Sequence, residues 1–182
     1  MSKNSHSNTK QLVFCAISIA LAFITSYIKF VRLPFGGSIT LFSMFFICFA
    51  GYLFGAKVGI FTGVAYGLLQ FLHDPYLYSV GQFFLDYPLA FACLGMAGFC
   101  KNQTFGLQKG IFLGVFGRYV CHVISGYIFF GMYAPEGINP LIYTLGYNLT
   151  YILPELIATL AVVSIPAVKR ALAQVQRMTQ SV

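Results

Sequence analysis

Six long apolar runs, separated by short polar or turn-rich breaks, leave this chain little choice of fold. They cover about residues 11–31, 38–55, 57–73, 79–100, 108–131 and 141–168. An apolar run of about 18 or more residues reads as a membrane-crossing helix, because a helix rises about 1.5 Å per residue and the hydrocarbon layer is about 30 Å thick. In lipid every backbone N–H and C=O must find its partner within the protein, which helices achieve segment by segment. Only 8% of the 182 residues are charged, against roughly a quarter in a soluble domain, so most of the outer surface must face something other than water. The expectation is an all-α integral membrane protein: a polar N-terminal segment (1–10), six transmembrane helices (11–170) and a C-terminal tail (171–182). The second and third runs meet at Gly55-Ala56-Lys57; they are read as two helices, with one bent element as the alternative. The first run is long for the core of a signal peptide and is followed by Lys29 and Arg32 rather than a small-residue cleavage site, so it is read as a retained helix.

The formal net charge of +7 could suggest a nucleic-acid binder, but Lys and Arg sit at the ends of the apolar runs rather than along one stripe. With six spans, Lys3, Lys10, Lys57, Lys101, Lys109, Lys169, Arg170 and Arg177 fall on one side, without an acid. Lys29 and Arg32 fall on the other, offset by Asp74 and Glu136. The positive-inside rule then puts both termini in the cytoplasm, as in a multi-pass protein of the cell membrane. The five cysteines, Cys15, Cys48, Cys93, Cys100 and Cys121, lack metal-ligand spacing and read as small packing residues. Gly51, Gly55, Gly59, Gly63 and Gly67 recur every fourth residue, a spacing that flattens one helix face for close packing, here read as internal. Ala16 and Ala20 form a similar pair on the first helix, where a partner helix is the competing occupant.

Charges at membrane depth cost roughly 2.5–3.5 kcal/mol on insertion scales, so each needs a partner or a task. Asp86, Arg118, His122 and Glu155 are such residues, and Asn148 joins them. Counted from the outer ends of their helices, Asp86, His122, Tyr143 and Asn148 converge on one level, which predicts an outward-facing pocket. Arg118 and Glu155 lie deeper and at matching depths, which predicts a structural ion pair. Arg118, His122, Gly126 and Phe130 are four apart and share one helix face. Asp86 with Tyr87, Phe130, Tyr133, Tyr143 and Tyr147 suits a flat cationic heteroaromatic ligand, since ring faces attract cations by roughly 0.5–2 kcal/mol each; most of the other Phe and Tyr residues must be belt and packing. The chain lacks the GxxxxGK[ST] phosphate loop, HExxH and GxSxG. His122 and Ser125 are three apart, but no acid is near them in sequence, so a serine hydrolase is a poor reading.

Several of these residues fall in a longer pattern. Gly36-Gly37-Ser38-Ile39, Leu85-Asp86-Tyr87, Arg118-Tyr119-x-x-His122-Val123-Ile124-Ser125-Gly126, Phe129-Phe130-Gly131 with Ala134-Pro135-x-Gly137, and Tyr143-x-x-x-Tyr147-Asn148-x-Thr150-Tyr151 occur in that order. Together they resemble the thiamine-specific S component (ThiT/YuaJ family) of energy-coupling-factor (ECF) type ABC transporters. The resemblance implies the six-helix S-component fold and high-affinity thiamine binding near the outer face. It also implies partnership with a membrane-embedded T component and two ATPase subunits, with no cofactor and no chemistry on the substrate. By motif, Asp86, Tyr87, His122, Gly126, Phe130, Tyr143 and Asn148 would line the thiamine pocket, with Tyr76 a further contact, and Ala16-x-x-x-Ala20 would meet the T component. The chain departs from the family pattern in having no Trp, where some members place one at Phe130 and in the loop near Phe35, and in using Asp rather than the longer Glu at 86. The alternative class is a stand-alone channel or proton-coupled carrier using Asp86, Arg118 and Glu155 as a relay.

Overall fold

A computed structural model describes the backbone of residues 2–34, 37–40 and 42–180, and their side chains except those of 2–7 and 180. Phe35 and Gly36 lie outside the described residues. Helix α1 (Ser2–Ser26) leads into a short antiparallel hairpin, β1 (Lys29–Arg32) and β2 (Ser38–Thr40), with Arg32 opposite Ser38 and Val31 opposite Ile39. There follow α2 (Ser43–Phe54), α3 (Ala56–His73), α4 (Val80–Cys100), α5 (Gly106–Tyr133), α6 (Pro140–Ser164) and α7 (Pro166–Gln180). Asn8–Ser26 of α1 and all of α4, α5 and α6 are long and apolar enough to cross a membrane, whereas α2 is apolar but shorter. Each of the six apolar runs is thus a helix. The hairpin and α7 are additions.

The hairpin takes the end of the first run and the start of the second, and the last run is also shorter than expected. The last span ends at Ser164, not near 170, because Ile165 precedes a proline and turns to extended backbone (φ −63°, ψ 130°); the proline ring disfavours helical geometry in the residue before it. Pro166 then opens α7, where its missing N–H costs nothing. The region read as a tail is therefore mostly helical, with Val168, Leu172 and Val175 half-buried along one side and Lys169, Arg170 and Arg177 exposed. The α2–α3 junction is a true turn, since Gly55 has φ +97°, a conformation open to glycine at little cost.

The glycine stripe packs internally. An added Cβ at Gly51 or Gly59 would lie 2.6 or 2.7 Å from the Gly95 carbonyl oxygen, at Gly63 2.2 Å from that of Phe91, and at Gly67 2.6 Å from that of Tyr87. Helices α2 and α3 therefore meet α4 backbone to backbone, and the tightest core residues, including Ile47, Cys48, Tyr66, Leu94, Ile111 and Val115, cluster around this contact. At one end of the bundle the hairpin meets the α3–α4 turn. There the Tyr27 hydroxyl lies 3.2 Å from His73 Nδ1, and Lys29 Nζ lies 2.5 Å from Asp74. The hydrogen bond from Lys29 holds the Asp74 carboxyl below the usual carboxylate range. The opposite end holds Gly55, the 101–105 turn and the α6–α7 break, where Lys169 stands 5.8 Å over the Phe105 ring.

Candidate functional site

The polar residues that composition singled out gather toward the hairpin end, where α4, α5 and α6 face one another. Helix α4 is not regular there. Pro88 cannot donate to the carbonyl four residues back, and Leu85–Leu89 forms a wider π turn, a feature that recurs at functional sites. It carries Asp86, whose carboxylate accepts from Gln82 Nε2 at 2.7 Å and Ser125 Oγ at 2.9 Å on one oxygen, and lies 2.9 Å from His122 Nδ1 through the other. Asp86 and His122 retain side-chain exposures of only 17% and 12%. Three donors on one nearly enclosed carboxylate fix its position and stabilise its charge.

The tautomer of His122 follows from its second neighbour. Arg118 Nε donates to His122 Nε2 at 3.2 Å. Arginine has no acceptor, so Nε2 must be bare and the proton sits on Nδ1, directed at Asp86. The imidazole is thus neutral and relays the guanidinium's donation to the carboxylate. The rest of the guanidinium lies 4.3 Å over the Phe91 ring, a cation–π contact that shields its charge in apolar surroundings. One turn beyond His122, α5 widens into a second π turn, Gly126–Phe130. A Cβ on Gly126 would come within 3.0 Å of Thr144 and 3.4 Å of Asn148 Nδ2, so glycine here keeps α5 and α6 close.

Helix α6 supplies the third wall. Asn148 is 3% exposed; it donates to the Thr144 carbonyl at 2.9 Å and the His122 carbonyl at 3.4 Å, and accepts from the Tyr151 hydroxyl at 2.6 Å. One cavity between the three helices is lined by Asp86, His122, Gly126, Phe130, Tyr143 and Asn148, among others. A second lies on the side of α1–α3 and the hairpin, and shares Asp86, His122 and Tyr151 with the first. Tyr147 joins the hairpin to α6: its hydroxyl donates to the Pro34 carbonyl and accepts from the Gly37 N–H at 3.3 Å.

Six of the eight residues expected to touch a ligand therefore line one cavity. Tyr76 and Tyr87 line the second. Tyr76 lies with its ring 5.8 Å from that of Phe130, while the Tyr87 hydroxyl holds the α3–α4 turn, donating to the Asp74 carbonyl and accepting from the Tyr76 N–H. The expected Arg118–Glu155 ion pair is not formed; among the described residues the one ion pair is Lys29–Asp74, and the neutral His122 meets Asp86 through a hydrogen bond. Glu155 instead accepts from Thr40 Oγ1 at 2.8 Å and from Ser43 Oγ and Met44 N–H at 3.3 Å each. It thereby caps the start of α2, where a helix presents unpaired N–H groups and its positive dipole end. Position along a helix does not fix direction around it, and Glu155 faces the hairpin and the start of α2. Sequence reading also missed Gln82, Ser125 and Tyr151, and left His122 and Ser125 without an acid although Asp86 touches both. Ser125 donates to that acid rather than to the imidazole, so it lacks the base a nucleophilic serine requires. Ala16 and Ala20 lie exposed on α1, away from this site.

Comparison with known proteins gives the family. A family described as thiamine transporter protein (Thia_YuaJ) matches residues 12–174. The chain belongs to this family. It is 34% identical over 171 residues to the thiamine transporter ThiT of Bacillus subtilis, covering 85% of this chain and 88% of that one. It is 33% identical over 97 residues to ThiT of Lacticaseibacillus paracasei, covering 46% and 48%. The solved structure of ThiT from Listeria monocytogenes, phased by native SAD, matches with a TM-score of 0.71 at 25% identity, covering 85% of this chain and 91% of that one. Family membership and the four long apolar helices together make this a multi-pass membrane protein.

Proposed function

We propose that this chain is the thiamine-binding subunit of an energy-coupling-factor importer. In this reading six helices span the membrane with both termini in the cytoplasm, and the hairpin end faces outward. That orientation rests on the basic residues, which cluster at the opposite end. The single observation carrying the reading is the pre-set Asp86 carboxylate, anchored by Gln82, Ser125 and His122 and opening on an aromatic-walled cavity. Thiamine carries a permanent thiazolium cation and an aminopyrimidine. The carboxylate neutralises the cation at low dielectric and takes the amino N–H, while Tyr143, Phe130, Tyr76 and Tyr87 offer ring faces. Asn148 and the edge of His122 supply polar contacts, and Gly126 leaves room against α6. The site holds its guest without altering it. Movement inward falls to a T component, met through Ala16 and Ala20, and to two ATPases, since the chain carries no phosphate loop of its own.

The test is calorimetric titration of the purified chain with thiamine, in the original protein and in Asp86→Ala and Phe30→Ala; Phe30 is 66% exposed and lines neither cavity. Asp86→Ala is expected to weaken binding at least 100-fold, about 2.7 kcal/mol, with Phe30→Ala unchanged. Equal affinities in the two variants would remove the site. Vesicles containing the chain alone should bind thiamine without accumulating it; uptake driven by a proton gradient alone would replace this reading with a stand-alone carrier.

A further inference from the structure

Two cysteines outside the ligand site face each other across the α4–α5 contact. Cys93 Sγ and Cys121 Sγ lie 3.8 Å apart, and both side chains are half-buried. The other three cysteines, Cys15, Cys48 and Cys100, are buried, and no other thiol–thiol contact exists among the described residues. The approach is built into the helices. Gly117, one turn before Cys121, has no side chain; an added Cβ there would meet Cys93 Cβ at 2.9 Å and Cys93 Sγ at 3.2 Å. The pair also joins the two elements that matter to the site. Cys121 precedes His122, and Cys93 lies two turns along α4 from Asp86, beside Phe91 on which Arg118 rests.

We propose that Cys93 and Cys121 form an oxidisable dithiol that closes to a disulfide and pins α4 to α5 beside the ligand site. A disulfide needs sulfurs about 2.05 Å apart, so closure asks for a side-chain rotation and a small approach of atoms already in contact. With a peroxide as oxidant the steps balance. One thiol sulfur attacks a peroxide oxygen, breaking the O–O bond and giving a sulfenic acid and water. The second sulfur then attacks the sulfenic sulfur, breaking its S–O bond, and the hydroxyl leaves as water with the remaining thiol proton. Two thiols and one hydrogen peroxide thus yield one disulfide and two waters. The cross-link closes a loop that contains the 101–105 turn and holds the Asp86–His122 contact at one spacing.

The test counts thiols in the purified, membrane-reconstituted full chain. After brief treatment with hydrogen peroxide, denaturation and alkylation, the expected label count falls from five to three. Dithiothreitol restores it to five, and proteolysis yields one peptide pair linking Cys93 to Cys121. Cys93→Ser and Cys121→Ser should each keep all four of their labels. The oxidised original protein should also melt at a higher temperature than the reduced one, with no such shift in either variant. Five labels after oxidation, loss of labels in the serine variants, or oxygen addition to the cysteines without a linked peptide pair would each overturn the proposal. A linked pair with unchanged melting temperature would overturn the clamp. None of these readouts depends on what the neighbouring cavity binds.

Discussion

Helix α4 has two neighbourhoods that could hardly differ more. Along Tyr87–Gly95 one side of it meets α3 and α2 through glycines, with backbone atoms in contact and no room for a methyl group. Around Asp86 its other side meets α5 through His122 and Ser125, with cavities between these two helices and α6. The same helix is thus cemented to α2 and α3 along Tyr87–Gly95 and spaced by polar side chains around Asp86, and α5 closes on it again only beyond the cavities, at Gly110, Gly114 and Gly117. In lipid, helices gain little by hiding apolar surface from one another, so close packing must come from shape; the glycine seam supplies it. A cavity requires the opposite, side chains long enough to hold helices apart and hydrogen bonds strong enough to keep them there.

That contrast can be broken from either side. The largest effect is expected from Gly95→Val. Its Cβ would stand 2.1 Å from Gly59 and Ile60 backbone atoms, and overpacking costs about 1–3 kcal/mol, occasionally more, with the upper end expected where backbone must yield. Loss of a monodisperse chromatographic peak or a sharply lower melting temperature checks it; a well-folded Gly95→Val protein would mean that the seam can open. Next comes Ser125→Ala, which removes one of the three donors to Asp86. A hydrogen bond to a charged group contributes about 1.5–3 kcal/mol to stability, so the melting temperature should fall, though less than in Gly95→Val, and thiamine affinity should drop with the loosened carboxylate, as read by thermal shift and calorimetry. Gln82→Leu should act in the same direction. An equal loss of stability in these variants and in Gly95→Val would erase the distinction between a packed side and a functional one.

The smallest effect belongs to the latch at the hairpin end. Asp74 is ionised more readily in the fold than in the unfolded chain because Lys29 donates to it. A depressed carboxylate contributes stability above its unfolded value, about pH 3.9, and loses it as pH falls through the folded one. The carboxylate is 64% exposed, so the contribution is under about 1 kcal/mol. Asp74→Asn should lower the melting temperature slightly at pH 7, with the difference from the original protein vanishing in strong acid.

Much of this was legible in the residues. Each apolar run holds a helix, and four of them are long and apolar enough to cross a membrane; the four-residue glycine spacing gave the seam because a helix brings every fourth residue to one face. Asp86, His122 and Asn148 could be found because polar groups at that depth are rare and costly. Gln82 and Ser125 could not, since both residue types occur throughout helices and only their meeting at Asp86 sets them apart. Arg118 and Glu155 were paired on depth alone, yet a helix turns about 100° per residue, and Glu155 faces Thr40 and Ser43 instead. The hairpin hid in a segment whose Gly36-Gly37 signalled a turn without revealing which strands it joined.

The two π turns at Leu85–Leu89 and Gly126–Phe130 make the length of the chain as informative as its composition. Each accommodates one residue more than an ordinary helical turn would, so each marks where a single-residue insertion could have entered an older, regular helix. Excising one residue from either turn would let it relax to α geometry with the helix beyond it still in phase, so that only the side chains within the turn change direction. A one-codon deletion there would aim Asp86 or Phe130 at a different neighbour while leaving every other side chain chemically intact.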